Sequence, residues 1–355
     1  TCSLLPLYLF APVRSESDAM RCPRLSELPP PPPGKTGWPW TEESPQLPDL
    51  MPDGRLWPRI SIVTPSYNQG VFLEETIRSI LLQGYPNVEY IIFDGYSFDH
   101  SVEVIKKYSE WLSLWVSEPD RGQTDAINKG FSKASGQIYG YLNSDDLYDS
   151  GILHAVANSF ALSPEPNKHW VVSHVLDFCD QNKRLVIPPP DLELIHWVAR
   201  RVSVHQPGTF WAAALYKEIK GFDENYKCAF DRNFFMEIIA RGYMPQVLGR
   251  VGAYFRVHQA SKTGLELERS PDGSIFVEEF IRISHEFMPR LRDEEQVAVR
   301  RYFRQQTMSR ILRSINCGGR TGGKAILEFA FRSLGEFPSS IVTRFFWGAV
   351  RRLLW

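Results

Sequence analysis

The chain has 355 residues, and 40 Lys and Arg stand against 41 Asp and Glu, which gives a formal net charge of −1. With 43% hydrophobic and 23% charged residues it has the composition of a folded globular protein, because disordered chains hold too few apolar residues to offset the entropy of ordering. The balanced charge lacks the strong basic excess of a general nucleic-acid binder, and no uncharged apolar run reaches the roughly 20 residues that a membrane-spanning helix needs.

The first 58 residues have the composition of a leader. They hold 13 of the 26 prolines, including the run at 29–33, which favours extended polyproline geometry. The sequence PGKTG at 33–37 looks like the end of a phosphate-binding loop, but the glycine required five residues before Gly34 is Pro29. We therefore predict a largely irregular segment over 1–58, and we expect Trp38 and Trp40 to pin it onto the folded body.

From residue 59 onward, short apolar runs alternate with segments of helical spacing. Strands are predicted at 59–65, 87–95, 112–120 and 136–146, and helices between them at 72–84, 100–112 and 123–135. Further on, the patterns predict strands at 169–178 and 246–258, a strand or loop entering a helix over 204–222, a helix at 231–242, and helices beyond about 275. This alternation predicts an α/β fold with a mainly parallel sheet, helices on both faces and right-handed crossovers.

Polar residues follow the four strands of the first half, where ligands of such sheets bind. The strand ends carry TPSYN at 64–68, DG at 94–95, EPDR at 118–121 and NSDD at 143–146. Adjacent carboxylates such as Asp145 and Asp146 either bind a divalent cation or cap the next helix. Because Asp94, Asp120 and Asp125 are expected at the same sheet edge and like charges repel, the pattern favours a cation shared with an anionic ligand.

Two ordered stretches carry a family resemblance. They are ISIVTPSYNQGVFLEETIRSILLQGYPNVEYIIFDGYSFDHSVEVIKKY and SEPDRGQTDAINKGFSKASGQIYGYLNSDD, followed more weakly by QPGTFW, GFDENYKCAFDRNFF and FRVH. Together they resemble family 2 glycosyltransferases of the GT-A fold, over about 59–150. The resemblance implies a Rossmann-like sheet and inverting, non-processive transfer of a sugar from a nucleotide-diphosphate donor, by default a UDP-sugar, to a hydroxyl of a glycan or lipid-linked acceptor. It also implies a divalent cofactor, Mg²⁺ or Mn²⁺.

The resemblance assigns roles to the positions that match the donor-binding motifs. It implies that Pro65, Tyr67 and Asn68 line the nucleotide pocket and that Asp94 reads the base or ribose. A second nucleotide-contacting segment is matched by Arg121, Gln123 and Asp125. The metal motif is matched by Asp145 and Asp146, with Asp146 as the direct ligand and Asp145 beside the nucleotide sugar.

Three further roles concern the metal, the base and the acceptor. By resemblance His258, in FRVH, faces the metal or diphosphate, although a lone histidine after a strand also fits a structural role. Asp231 matches the catalytic base, and a first-turn aspartate also caps a helix. A single base on the acceptor side is then sufficient. No second carboxyl group is needed to protonate the leaving group, because a cation absorbs the charge of a leaving diphosphate. Gln206 and Trp211 are candidates for the acceptor cleft, with core packing an equal alternative for Trp211.

Some positions depart from the family pattern. DGYSFDHS replaces the usual DGGSTDGS, so that Tyr96, Phe98 and His100 enlarge the loop beside the nucleobase. Asn143 replaces the first acid of the metal motif, and Asn233 replaces an acid that often follows the base.

A catalytically silent sugar-nucleotide-binding or scaffold protein therefore remains an alternative. A nucleotidyltransferase is the less favoured one, because TPSYNQG at 64–70 is not the Gly-rich, basic loop it requires.

These assignments predict three regions. The leader is followed by a catalytic domain over 59–262, with a nucleotide-sugar half at 59–150 and an acceptor half at 151–262, and by a helical extension over 263–355. Residues 291–355 hold 12 Lys and Arg against 5 Asp and Glu, and the basic, aromatic helix at 339–355 either lies in a lipid interface or docks on the body.

Five scattered cysteines without a CxxC pair indicate a reducing compartment. We therefore expect a cytoplasmic protein with peripheral membrane contact and no nucleic-acid partner.

Overall fold

The computed structural model describes residues 9–10, 20–179, 182–202, 204–259, 261–262 and 274–316. Ten strands lie in these parts of the chain: β1 Leu9–Phe10, β2 Ile60–Ser66, β3 Val88–Asp94, β4 Leu114–Ser117, β5 Ile138–Tyr141, β6 Leu147–Tyr148, β7 Trp170–Cys179, β8 Asn182–Val186, β9 Thr209–Ala212 and β10 Gln246–Arg256. The helices are α1 Gly70–Leu81, α2 Ser101–Lys107, α3 Gln123–Lys133, α4 Ile152–Leu162, α5 Leu194–Val198, α6 Ala213–Ile219, α7 Phe230–Ala240, α8 Ser274–Phe287 and α9 Asp293–Asn316. The predicted α/β alternation is confirmed.

All ten strands form one sheet, in the order β1-β4-β3-β2-β5-β9-β7-β10-β6, with β8 paired to β7. Strands β4, β3, β2 and β5 are parallel neighbours, and β7 and β10 form a second, longer parallel pair. The strands between and around them are antiparallel. Because β2, β3, β4 and β5 run the same way, the residues that follow them emerge at one edge of the sheet.

The core lies around β2 and the helices that cover it. Every residue of β2 is buried, as expected for a strand with packing on both faces. Helix α3 packs against β2 and β3, and a side chain at Gly130 would meet Val63, since a methyl group there would lie 2.4 Å from its Cγ1. The close approach of this helix to the sheet therefore depends on a glycine.

An aromatic cluster fills the second half of the body, and Trp211 stands at its centre. This side chain is fully buried, and its ring lies 5.1 Å from Phe234, 5.8 Å from Phe222 and 5.9 Å from Phe131 between centroids. Such edge-to-face contacts are typical of a packed core. The fold favours core packing for Trp211, because β9 turns the ring away from solvent into the sheet-helix interface, and its role toward an acceptor stays a prediction.

The leader packs onto the body through its backbone. The buried guanidinium of Arg78, on α1, donates hydrogen bonds of 2.8 to 3.0 Å to the carbonyls of Pro29, Pro39 and Trp40. Trp38 Nε1 donates to the carbonyl of Tyr148 at 2.8 Å, and the buried ring of Trp40 lies beneath the Arg78 guanidinium. The predicted pinning by the two tryptophans is confirmed.

The chain divides into two compact units, 1–192 with 202–281 and 193–201 with 282–355. In the second unit, the guanidinium groups of Arg200 and Arg201 lie over the rings of Phe303 and Tyr302, which joins the end of α5 to α9. No helix in the described ranges is long and apolar enough to cross a bilayer. The basic helix predicted at 339–355 lies outside the described residues, and the three predicted domain boundaries stay predictions.

Candidate active site

Two loops that follow neighbouring parallel strands are tied together at the predicted nucleotide pocket. Asn68, after β2, has a left-handed backbone with φ of 52°. Its N–H donates to Ser97 Oγ at 2.8 Å, and its Oδ1 accepts from the N–H of Phe98 at 3.0 Å. Asn68 therefore positions the loop after β3, and the exposed ring of Tyr67 next to it contacts Phe98 edge-on. Pro65 is buried inside β2 and takes no part in the loop surface.

Asp94, at the end of β3, is 2% exposed and is held by its own loop. Its carboxylate accepts hydrogen bonds from Ser97 N–H at 2.9 Å, from Ser97 Oγ at 2.5 Å and from Ser117 Oγ at 2.7 Å. Both serines were missed in the sequence, because a serine near a strand end carries no signal of its partner. Asp94 thus joins the loop after β3 to Ser117 at the end of β4.

Asp99 is a second organising residue that sequence reasoning missed. It accepts from the N–H of Gly70 at 2.9 Å and from the N–H and Oγ of Ser101 at 2.9 and 2.5 Å, so one carboxylate serves the starts of α1 and α2. The DHS pattern at 99–101 is a readable capping signal for α2. The bond to Gly70 is visible only in the fold.

The segment after β4 carries an ion-pair network. Arg121 pairs with Asp125 at 2.7 Å and with Glu224 at 2.9 Å, and its side chain is 74% exposed. Burial opposes ionisation of Asp125, but hydrogen bonds from Arg121 and Lys129 outweigh it, so the pKa of Asp125 lies below its ordinary value. The ionised Asp125 therefore orients Arg121, whose planar guanidinium is the kind of group that suits a diphosphate.

Gln123, at the start of α3, links the two halves of the site. Its Nε2 donates to Asn143 Oδ1 at 2.6 Å, and its Oε1 accepts from Lys262 Nζ at 3.0 Å. Asn143 in turn donates from Nδ2 to Asp146 Oδ2 at 3.2 Å. The amide of Gln123 therefore connects the loop after β5, residues 143–146, to the segment that follows β10. We call this loop the acidic loop.

The two adjacent carboxylates of the acidic loop have different surroundings. Asp146 is fully buried; its Oδ1 accepts from the N–H of Arg256 at 2.9 Å, and burial, with the charge of Asp145 second, raises its pKa well above the usual range. Asp145 instead faces His258, with Oδ2 and Nε2 3.0 Å apart and both side chains 15% exposed. The fold thus brings His258 to Asp145, and it turns the oxygens of Asp146, the expected direct ligand, toward Arg256 and Asn143.

Arg256 holds this arrangement together. The sequence analysis predicted no role for it, since it was only a residue that precedes Val257 and His258. Its Nε donates to the carbonyl of Asp145 at 2.9 Å, and its guanidinium pairs with Glu75 at 2.8 Å. The guanidinium lies between the rings of Phe72 and Phe178, at 4.8 and 4.5 Å from their centroids. Such cation–π contacts fix its orientation.

Asp231 lies in the first turn of α7 and is partly exposed. Its Oδ1 accepts from the N–H of Arg232 at 2.7 Å. Burial among the surrounding groups raises the pKa of Asp231 to about 6, against the opposite effects of Arg232 and Lys262. Lys262, which donates to Gln123, is therefore also one of the positive charges that limit the rise in the pKa of Asp231.

Gln206, the other acceptor candidate, is buried. Its Nε2 donates to the carbonyl of Tyr141 at 2.6 Å, which joins it to the end of β5. Its Oε1 has no hydrogen-bond partner in the described part of the chain. Gln206 therefore supports the floor under the acidic loop, and its role toward an acceptor stays a prediction.

Comparisons with known proteins show which family parts of this chain resemble. Residues 61–164 match the model of glycosyl transferase family 2. An uncharacterized glycosyltransferase of Mycobacterium tuberculosis is 29% identical over 180 residues, which cover 50% of this chain and 68% of the relative. The putative teichuronic acid biosynthesis glycosyltransferase TuaG of Bacillus subtilis is 35% identical over 92 residues, 25% of this chain and 36% of TuaG.

Among solved structures, S. aureus TarS 1-349 in complex with UDP superposes with a TM-score of 0.51 at 19% identity, over 69% of each chain. A longer TarS chain gives the same TM-score over 70% of this chain and 42% of its own length. These superpositions show that the chain has a fold of the GT-A type. Over residues 61–164 the chain is similar to the family 2 glycosyltransferases, as its motifs predicted.

Proposed function

We propose that this protein transfers a sugar from a nucleoside diphosphate sugar to an acceptor hydroxyl with inversion at the anomeric carbon. The observation that carries the proposal is the chain of hydrogen bonds from Asp146 through Asn143 and Gln123 to Lys262, whose positive charge also acts on Asp231. It joins the motif expected at the diphosphate to the carboxylate expected at the acceptor.

A divalent cation fits the pair Asp145 and His258. A carboxylate and an imidazole 3.0 Å apart, both reachable from solvent, are a donor set that suits Mn²⁺, whereas Mg²⁺ prefers oxygen ligands alone. A bound cation would absorb the negative charge that develops on the leaving diphosphate. In this proposal Asp145 and His258 are the ligands, and Asp146 positions the loop that carries Asp145.

Asp231 acts as the general base in this proposal. A pKa of about 6 leaves the carboxylate mostly ionised near neutral pH, yet basic enough to accept a proton from an attacking hydroxyl. Its place in the first turn of α7 favours the ionised form through the helix dipole. Arg232 and Lys262 hold positive charge beside it, which limits the rise of its pKa.

The donor and acceptor classes come from the relatives. TuaG is named for teichuronic acid biosynthesis, and TarS binds UDP in its solved complex. We infer a UDP-sugar donor and a cell-envelope glycan or lipid-linked acceptor for this protein. Arg121, ionised and 74% exposed beside Asp125, is the group expected to contact the diphosphate.

The test is a screen of nucleotide sugars with Mn²⁺ or Mg²⁺, in which released nucleotide and thermal shift are read together. The wild type should release nucleotide from one donor in the presence of acceptor, and Asp231→Asn should bind that donor but release little. If the wild type binds donors and never turns one over with any acceptor, the silent-scaffold alternative is correct. If it binds no donor, the glycosyl-transfer proposal fails altogether.

A further inference from the structure

We infer that Glu279, on α8, is a positioning residue for the acceptor side of the reaction: it holds the backbone that leads into α7 and thereby sets the position of the Asp231 carboxylate. The inference rests on the proposed function, in which Asp231 is the general base. Glu279 lies about 50 residues beyond the segment that it holds, so the sequence analysis predicted no role for it.

The side chain of Glu279 is buried, and its carboxylate accepts hydrogen bonds from three consecutive backbone N–H groups. Oε1 accepts from Lys227 at 2.7 Å, and Oε2 accepts from Cys228 and Ala229 at 2.9 and 2.8 Å. Ala229 immediately precedes α7, and its methyl side chain cannot cap the helix. The backbone at the start of α7 therefore obtains its acceptor from a second helix.

A carboxylate suits this position because it has two oxygen atoms and only accepts hydrogen bonds. Bonds from N–H groups to an ionised oxygen are also shorter and stronger than bonds to a neutral one. In Glu279→Gln the side chain keeps its volume, but one oxygen becomes an NH₂ group that faces N–H donors. This substitution therefore loosens the segment 227–229 without opening a cavity.

The next residue of α8 supports the other side of Asp231. The ring centroid of Phe280 lies 4.9 Å from the centre of the Arg232 guanidinium, and the N–H of Arg232 donates to Asp231 Oδ1 at 2.7 Å. The Arg232 guanidinium also donates to the carbonyl of Val202 at 3.1 Å. Two consecutive residues of α8 thus contact the backbone before Asp231 and the side chain after it.

Lys227 is held from both sides of its backbone. Its N–H donates to Glu279, and its carbonyl accepts from Nζ of Lys262. Lys262 also donates to Gln123, whose amide is bonded to the acidic loop. An anion on α8 and a cation bonded toward the acidic loop therefore fix the segment before α7 between them.

This arrangement matters for a base because proton abstraction needs hydrogen-bond reach. A displacement of about 1 Å in a reacting group can cost on the order of a hundredfold in rate. The groups proposed at the diphosphate have other partners, since Arg121 pairs with Asp125 and Asp145 faces His258. Loss of Glu279 should therefore affect the chemical step and leave donor binding intact.

The test compares Glu279→Gln with Glu278→Gln, which removes the same charge from the exposed neighbour on the same helix. We would measure kcat by release of nucleotide from the donor found in the nucleotide-sugar screen, the dissociation constant of UDP by calorimetry, and backbone amide hydrogen exchange. Glu279→Gln should lower kcat by roughly ten- to a hundredfold and keep the UDP constant within about threefold. The amides of 227–229 should exchange faster. Glu278→Gln should match the wild type in all three measurements.

A double-mutant cycle with Asp231→Asn separates positioning from a general loss of structure. If Glu279 acts through Asp231, adding Glu279→Gln to Asp231→Asn should lower the remaining kcat by less than about threefold, because the base is already absent. A merely structural role would lower kcat by the same factor in both backgrounds. Glu279→Asp keeps the charge and shortens the side chain by one methylene group; it is the second variant if Glu279→Gln does not fold, and the same pattern is expected of it.

The outcomes distinguish this inference from the proposed function. If the folded variant keeps the wild-type kcat, loses UDP affinity in proportion to kcat, or shows wild-type exchange over 227–229, the role of Glu279 is overturned while the proposed function stands. Equal loss of kcat in both backgrounds of the cycle would also overturn it. If the wild type itself turns over no donor, the proposed function fails, and the role of Glu279 in the reaction fails with it.

Discussion

The backbone N–H of Arg256 donates a 2.9 Å hydrogen bond to Oδ1 of Asp146, across 110 residues of sequence. This bond fastens the acidic loop after β5 to the end of β10, two residues before His258. Because Asp146 is engaged in this way, its neighbour Asp145 is the carboxylate that meets the histidine. The buried carboxylate of Asp146 therefore positions the carboxylate of Asp145.

The first prediction separates these adjacent acids. Asp145→Asn should weaken Mn²⁺ binding by at least about tenfold and change the melting temperature little, because the side chain is partly exposed and its backbone contacts remain. Asp146→Ala should leave the N–H of Arg256 without its acceptor and destabilise the fold by about 1–3 kcal/mol. Calorimetric Mn²⁺ titration and thermal melts measure the two effects. Equal loss of Mn²⁺ affinity in both folded variants would contradict the assignment.

The second prediction concerns pH. Since the pKa of Asp231 is raised to about 6, kcat/KM should fall as the pH drops through about 6, where the base becomes protonated. Asp231→Asn should lower kcat by roughly 10²- to 10⁴-fold and abolish this limb of the pH profile. Rate profiles from pH 5 to 8, with Asp53→Asn on the leader as the charge control, measure it.

The variant Asp231→Asn should lose activity without losing stability. A carboxyl whose folded pKa exceeds its unfolded value favours the folded state at low pH, and that contribution is lost as the pH rises through about 6. Asp231→Asn should therefore melt at or above the wild-type temperature at pH 8. If Asp231→Asn melts at a lower temperature than the wild type at pH 8, the ionised Asp231 stabilises the fold, and the prediction is contradicted.

The third prediction tests the close contact at Gly95. In Gly95→Ala the new methyl group meets Asp120 Oδ2 at 2.5 Å, so the carboxylate must move. We expect KM for the donor to rise roughly tenfold with kcat largely kept, because the disturbance falls beside Tyr67, which is predicted to line the nucleotide pocket. Gly249→Ala is the matched control, since a methyl group there meets nothing within 4 Å. Unchanged KM in the folded Gly95→Ala enzyme would count against a base site at this position.

The fourth prediction concerns the leader. Arg78→Lys keeps the charge but cannot reproduce the planar donors that hold the carbonyls of Pro29, Pro39 and Trp40. We expect a loss of several kcal/mol in the free energy of unfolding and faster proteolysis within 29–40. Arg55→Lys, on an exposed side chain, is the control. Limited proteolysis with mass spectrometry locates the cut, and equal protection of both variants would contradict the role of Arg78.

Much of the fold could be read from local patterns. Apolar runs with polar residues at their ends predicted β2, β3, β4 and β5 and the helices between them, because each pattern extends over a few residues whose burial it reports directly. The order of these elements predicted a parallel sheet and the edge where the acidic residues gather. The antiparallel insertion of β9 between β5 and β7 was not predicted, because strand order depends on pairing between distant segments.

The sequence by itself determined the class of fold, the resemblance to a glycosyltransferase family and the set of polar groups at one sheet edge. Only the tertiary structure decided which members of that set meet. Asp145 and Asp146 are neighbours with the same chemistry, and their burial and partners differ because strand β10 approaches one side of the loop. Likewise Trp211 belongs to the core and Asp120 faces Gly95 because burial and hydrogen bonding depend on segments far apart in the chain, whose contacts no local pattern records.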